Sequence, residues 1–148
     1  MKKWLMVLVA VSMGVGAFAS EGWETDFEKA SAKAKAEGKH MLIDFSGSDW
    51  CGWCIKLDKE VFSKDAFKAY AKENLVLILA DFPRDKSAQS AATQKQNIAL
   101  KEKFGVRGFP TVFILDPTGE PVAKTGYRDG GPEAYVEYIK TLIADAKK

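Results

Sequence analysis

Hydrophobic and polar positions follow two different periods along the chain, and their order predicts the elements. Over residues 26–37, Phe27, Ala30 and Ala34 recur at helical spacing. Thr25 or Asp26 is placed to cap that helix and Gly38 to end it. Residues 41–45 (MLIDF) are an apolar run broken by Asp44, the pattern of a buried strand. Residues 46–50 read as a loop. A second helix is predicted from Cys51 to about Phe62, and Ser63 is placed to cap a further stretch to Glu73. Residues 75–80 (LVLILA) are continuously apolar, as a central strand covered on both faces would be. Residues 81–92 are polar and contain proline, so they read as a loop, and 93–104 read as a helix closed by Gly105. Residues 111–115 and 122–125 flank Asp116-Pro117-Thr118-Gly119, a turn signal that makes them a hairpin. Pro132 suits the start of a last helix carrying Tyr135, Ile139, Leu142 and Ala146 at helical spacing. The order α-β-α-β-α-β-β-α predicts an α/β fold with a central mixed β-sheet flanked by helices on both faces.

The first residues follow a different logic. Lys2 and Lys3 precede an apolar stretch over 4–15, and Ala17-Phe18-Ala19 supplies a small-x-small site. That order predicts a secretory signal peptide over 1–19, removed to leave one domain over 20–148. The competing reading is an uncleaved anchor, but 4–19 falls short of the roughly 20 residues needed to cross a bilayer. Cleavage would leave no stable membrane insertion and a periplasmic or secreted protein, whose cysteines meet disulfide chemistry. The composition, 47% hydrophobic and 28% charged, is that of a globular chain. Lys2 and Lys3 account for the whole formal charge of +2, so the mature chain is balanced. A long-range basic field is thereby excluded, and no nucleic acid partner is expected.

Two cysteines are too few for a disulfide-stapled scaffold. They stand as Cys51-Gly52-Trp53-Cys54, after a predicted strand and at the start of a predicted helix. A helix N-terminus offers free N–H groups and a positive dipole end, which stabilise a thiolate. The thiolate is the nucleophile of thiol–disulfide exchange. Cys51, nearer the tip, is the better attacking thiol, and Cys54, further in, is placed to resolve the mixed disulfide. A structural disulfide and half of a zinc site are the competing readings. Structural zinc usually takes four protein ligands, and the chain adds one histidine, His40, to this pair.

Trp50-Cys51-Gly52-Trp53-Cys54 after Ile43-Asp44-Phe45, with Gly108-Phe109-Pro110-Thr111 later, resembles the thioredoxin superfamily over roughly 27–143. The Ser-Asp-Trp-Cys start, Val61-Phe62-Ser63 and the run from Gly105 to Pro110 are most similar to the periplasmic thioredoxin-like domain of DsbD-type thiol:disulfide interchange proteins. Two features depart from thioredoxin: Gly52-Trp53 replaces Gly-Pro, and one more residue separates Asp44 from Cys51.

The resemblance implies a thioredoxin-like fold and assigns roles. Pro110 matches the family's cis-proline, although an X–Pro bond taken alone favours trans. The backbone of Phe109 would then be offered to an extended partner, with Thr111 beside it. Phe109 reads equally as a core aromatic beside Phe113. Asp44 would be the acid that exchanges protons with Cys54. Its alternative is a carboxylate facing solvent at a strand's edge. Asp58, four residues after Cys54, would be a second acid or an ordinary exposed carboxylate. Trp50 and Trp53 bracket Cys51 as an apolar platform for partners. His40 reads as a strand-edge residue, and lysines 29, 33, 35 and 39 read as a solvated helix face. The loop at 81–92 selects partners or is a surface insertion.

The sequence therefore points to an exported protein-disulfide oxidoreductase acting on protein thiols and disulfides, with reduction as the expected direction. A membrane-bound electron donor is implied, and no metal or organic cofactor. An oxidase or isomerase and a non-catalytic thioredoxin-like binding module are the alternatives.

Overall fold

The computed structural model describes residues 21–148; the expected leader over 1–19 and its cleavage site lie outside them. A five-stranded sheet runs in the order β1-β3-β2-β4-β5. It is built from β1 (Trp23–Glu24), β2 (His40–Ser46), β3 (Leu75–Asp81), β4 (Thr111–Leu115) and β5 (Pro121–Thr125). β3 pairs in parallel with β1 and β2, whereas β4 is antiparallel to both β2 and β5. The predicted mixed sheet is therefore present, with β2 at its centre. Among the described residues, no helix is long and apolar enough to cross a membrane.

The helices are α1 (Phe27–Glu37), α2 (Gly52–Leu57), α3 (Asp65–Asn74), α4 (Ala91–Lys103) and α5 (Gly131–Asp145). Local chemistry sets several of their ends. The Asp26 side chain accepts from Lys29 N–H at the start of α1, and Gly38 closes it at φ 66°, where a Cβ would be strained. Helices cover both faces. Leu42, Leu57, Val61, Phe62, Phe67, Tyr135 and Ile139 belong to a core shared with α2, α3 and α5. Ala30, Ala34, Met41, Ile43, Phe45 and Leu100 belong to the opposite core, with α1 and α4. β2 divides its side chains with period two, so Asp44 falls on the face of Leu42.

Four expectations need correction. β1 escapes the sequence pattern because it has only two residues, too few to show a period. The helix from Cys51 does not continue uniformly: at Asp58 it widens into a π-helical turn, Asp58–Phe62. Ser63 ends that turn instead of capping α3, whose N-cap is Lys64 with no side-chain bond. The polar loop is shorter than predicted, because β3 runs through Asp81 and Ser90 caps α4 by accepting from Thr93 N–H.

Candidate active site

The site is assembled where β2 ends. Gly47 takes the chain out of the strand beneath the Trp50 ring, and a Cβ at that position would collide with the indole. Side chains join this loop to the end of β3 and the segment after it. Asp49 accepts from Arg84 N–H and Asp85 N–H at 2.9 and 3.0 Å, and Asp81 accepts from both the amide and the hydroxyl of Ser48. The Trp50 indole N–H donates to the Phe82 carbonyl at 2.7 Å. The loop after β3 is thereby stitched to the loop that carries the cysteines.

Cys51 is the N-cap of α2, and its sulfur accepts from the Cys54 amide at 3.3 Å. Cys51 and Cys54 form a disulfide with Cα atoms 5.2 Å apart. Both are buried, Cys51 slightly less, at 7% exposure against 3%. The amide that holds the Cys51 sulfur is the group that would stabilise a thiolate there, one of the four unpaired N–H groups of the helix start.

Asp44 is 5% exposed and lies on the central strand, so the reading of an edge carboxylate in solvent is excluded. Its Oδ1 is buried with no hydrogen-bond partner among the described residues. Desolvation first, then the negative charges of Asp58 and Asp81, push its pKa up to about 8. A cavity of about 170 Å³ opens beside it, lined by Ser46, Ser48, Cys54, Asp58 and Trp23 among others. Asp58 is exposed, and partial desolvation raises its carboxyl as well. Asp44, Cys54 and Asp58 thus line one cavity under the helix start, with room for several waters.

The Phe109-Pro110 peptide bond is cis, against the prior for the bond taken alone. Phe109 is half-buried and packs as an aromatic. It joins the α1/α4 core, and its ring meets Trp50 at 5.8 Å and Phe82 at 5.3 Å. Thr111 is buried and donates its hydroxyl to the Gly108 carbonyl at 2.7 Å, bracing the loop ahead of the proline. On the far side, a Cβ at Gly126 would come within 3.2 Å of the Pro110 carbonyl oxygen. The next residue, Tyr127, packs its ring 5.1 Å from that of Trp53. Contacts therefore run from Trp50 through Phe109, Pro110, Gly126 and Tyr127 to Trp53, and the two tryptophans flank Cys51 in the chain.

Phe82, Arg84 and Tyr127 were not singled out from the sequence. Each lies far from the cysteines in the chain and in no motif, so only the folded contacts reveal them. His40 opens β2, a central strand, and is half-buried, which lowers its pKa. Lysines 29, 33 and 35 are exposed on α1 as expected, whereas Lys39 donates to the Lys72 carbonyl.

A thioredoxin-type sheet, a disulfide at a helix start, a cis-proline beside it and a buried acid below it define the class of thiol:disulfide oxidoreductase-like proteins. The family model described as a thioredoxin-like domain matches residues 27–142, and the chain belongs to that family. It is 34% identical over 121 residues to the disulfide bond reductase DsbH of Chlamydia pneumoniae, covering 82% of this chain and 72% of that protein. It is 31% identical over 120 residues to the thiol:disulfide interchange protein DsbD of Vibrio vulnificus, covering 79% of this chain but 18% of that much longer protein. The solved structure of a DsbH oxidoreductase superposes with a TM-score of 0.80 at 33% identity, covering 86% of this chain and 88% of that one.

Proposed function

We propose that this protein is an exported reductase of protein disulfides, with Cys51 as the attacking thiol and Cys54 as the resolving one. The observation that carries the reading is the Cys51–Cys54 disulfide lying over a cavity shared with the unpartnered carboxyl of Asp44.

In the reduced protein the Cys51 thiolate attacks one sulfur of a partner disulfide. A bond forms between Cys51 and that sulfur, the partner's own bond breaks, and the other partner sulfur leaves as a thiolate. Asp44 takes the Cys54 proton, and the Cys54 thiolate then attacks Cys51. The Cys51–Cys54 disulfide forms and the second partner sulfur is released. Two electrons pass from the dithiol to the partner, and protons return to the partner's thiolates through water and Asp58. An Asp44 carboxyl with a pKa near 8 is matched to this task, since it gains and loses a proton close to neutrality. Phe109 and Pro110 offer backbone to the partner, Thr111 holds their loop, and Trp50 and Trp53 flank the sulfur under attack. A membrane-bound dithiol donor restores the reduced form, and the leader over 1–19 delivers the protein to the periplasm or beyond.

The direction of exchange is supported by similarity to a relative named as a disulfide bond reductase. The test is the reduction potential, measured in redox buffers, together with catalysed reduction of insulin. A potential near about −270 mV with insulin turnover is expected. A value of about −120 to −180 mV would make the protein an oxidase or isomerase instead. Loss of turnover in Cys51→Ser and a trapped mixed disulfide in Cys54→Ser are expected. Partner binding that survives replacement of both cysteines, without turnover in the wild type, would leave a binding module.

A further inference from the structure

Three of the four large apolar side chains exposed among the described residues, Trp50, Trp53 and Ile55, fall within residues 50–55 around the disulfide. Trp53 is the most exposed of them at 58%. An indole so placed at a helix start would lose considerable side-chain freedom on meeting a partner. Here it is already held. Its ring lies 5.1 Å from that of Tyr127, and the Lys56 ammonium sits 5.0 and 5.1 Å from the two ring centroids. The Tyr127 hydroxyl donates to Glu60 at 2.6 Å, and Glu60 lies 3.9 Å from Lys56.

Tyr127 is itself fixed from the rear. The preceding Gly126 accepts from the Tyr135 hydroxyl at 2.9 Å and abuts the Pro110 carbonyl. The frame that carries the cis-proline therefore also places the ring against which Trp53 rests.

We propose that Tyr127 is a positioning residue that holds Trp53 beside Cys51, so that the free face of the indole takes an apolar side chain next to the target cysteine of a partner protein. The inference rests on the exchange reading above and names what that site prefers. Trp53 stands between the two cysteines in the chain and is exposed, so this surface is continuous with the exchange centre. Charged side chains border it. Glu60 faces Lys56 and the Tyr127 hydroxyl, Asp129 also faces that hydroxyl, and the Arg128 guanidinium lies 3.7 Å over the Tyr138 ring. The exposed indole face is apolar, so an apolar group matches it, whereas an acidic one would lose hydration there and meet a lysine, Lys56, already paired with Glu60.

The test uses the pre-reduced protein, whose dithiol supplies the two electrons consumed by each peptide disulfide. Two disulfide peptides differ only in the residue after the cysteine, Leu in one and Asp in the other. The wild type is expected to reduce the Leu peptide about tenfold faster, the size of a single apolar anchor. In Tyr127→Ala that ratio should fall below about threefold, as Trp53 loses its support. Tyr127→Phe keeps the ring and should restore most of the preference, which a merely structural hydroxyl contact would not do. Equal wild-type rates on the two peptides overturn this inference alone. A preference untouched by Tyr127→Ala likewise removes Tyr127 from its role. A wild type that reduces neither peptide overturns the exchange reading and this inference with it.

Discussion

Asp44 and Asp58 line one cavity together with Cys54, Asp44 buried and Asp58 exposed. Desolvation raises the Asp44 pKa most, and the negative charges of Asp58 and then Asp81 add to it. One oxygen of Asp44 is buried with no hydrogen-bond partner among the described residues, which adds to the cost of its charge.

This arrangement makes stability depend on pH with a definite sign. The Asp44 pKa is about 8 in the folded protein and near the ordinary carboxylate value of about 3.9 when unfolded. Between those values the native state binds more protons, so stability falls as pH rises. Asp44→Asn removes the penalty. In the disulfide form, the urea midpoint of the variant should match the wild type near pH 4 and exceed it increasingly toward pH 8. The gap should reach on the order of 3 to 4 kcal/mol at pH 7. A gap that does not change with pH would mean that Asp44 titrates normally.

The same substitution should act in the opposite direction on exchange. Without a base for Cys54, release of the mixed disulfide at neutral pH should slow about a hundredfold, the low end of general-base effects. The wild-type rate should rise with pH through the Asp44 pKa near 8, and that inflection should vanish in Asp44→Asn. Stopped-flow release of a thiol from the mixed disulfide measures both.

Cys51 caps α2 and its sulfur accepts the Cys54 amide. Its thiol should therefore ionise below the free value of about 8.5. The rate of alkylation against pH, taken on reduced Cys54→Ser protein, should show the lower midpoint.

Gly47 lies against the Trp50 indole with no room for a Cβ. Gly47→Ala should push the ring aside, break its bond to the Phe82 carbonyl and loosen the loop after β3. The expected loss is about 1 to 3 kcal/mol, as for overpacking elsewhere. Thermal unfolding measures the loss, and a red-shifted Trp50 emission would accompany it.

Trp50 and Trp53 bracket the disulfide, whereas Trp23 packs 5.1 Å from Phe62 at the cavity's outer wall. Disulfides quench nearby indoles more strongly than thiols do. Dithiothreitol should brighten the emission, and Trp53→Phe should reduce that change. Emission indifferent to reduction would place the sulfurs apart in solution.

The alternation of apolar blocks, the turn signals and the Gly38 stop were enough to read the sheet and its flanking helices, because they act over a few neighbouring residues. Cys51 at a helix start was legible for the same reason, as a strand-loop-helix pattern is local. The lone Asp44 in an apolar strand marked an acid with a cost. Its face was set by period two, but its depth depended on β2 being the central strand, which is a pairing decision. β1, two residues long, exists only because β3 offers an edge to it. Tyr127 behind Trp53, Phe82 under the Trp50 indole and the grip of Asp49 on Arg84 and Asp85 join segments distant in the chain. Local pattern carries no record of such contacts. Side-chain packing and hydrogen bonding set them only after the sheet has brought the loops to one end.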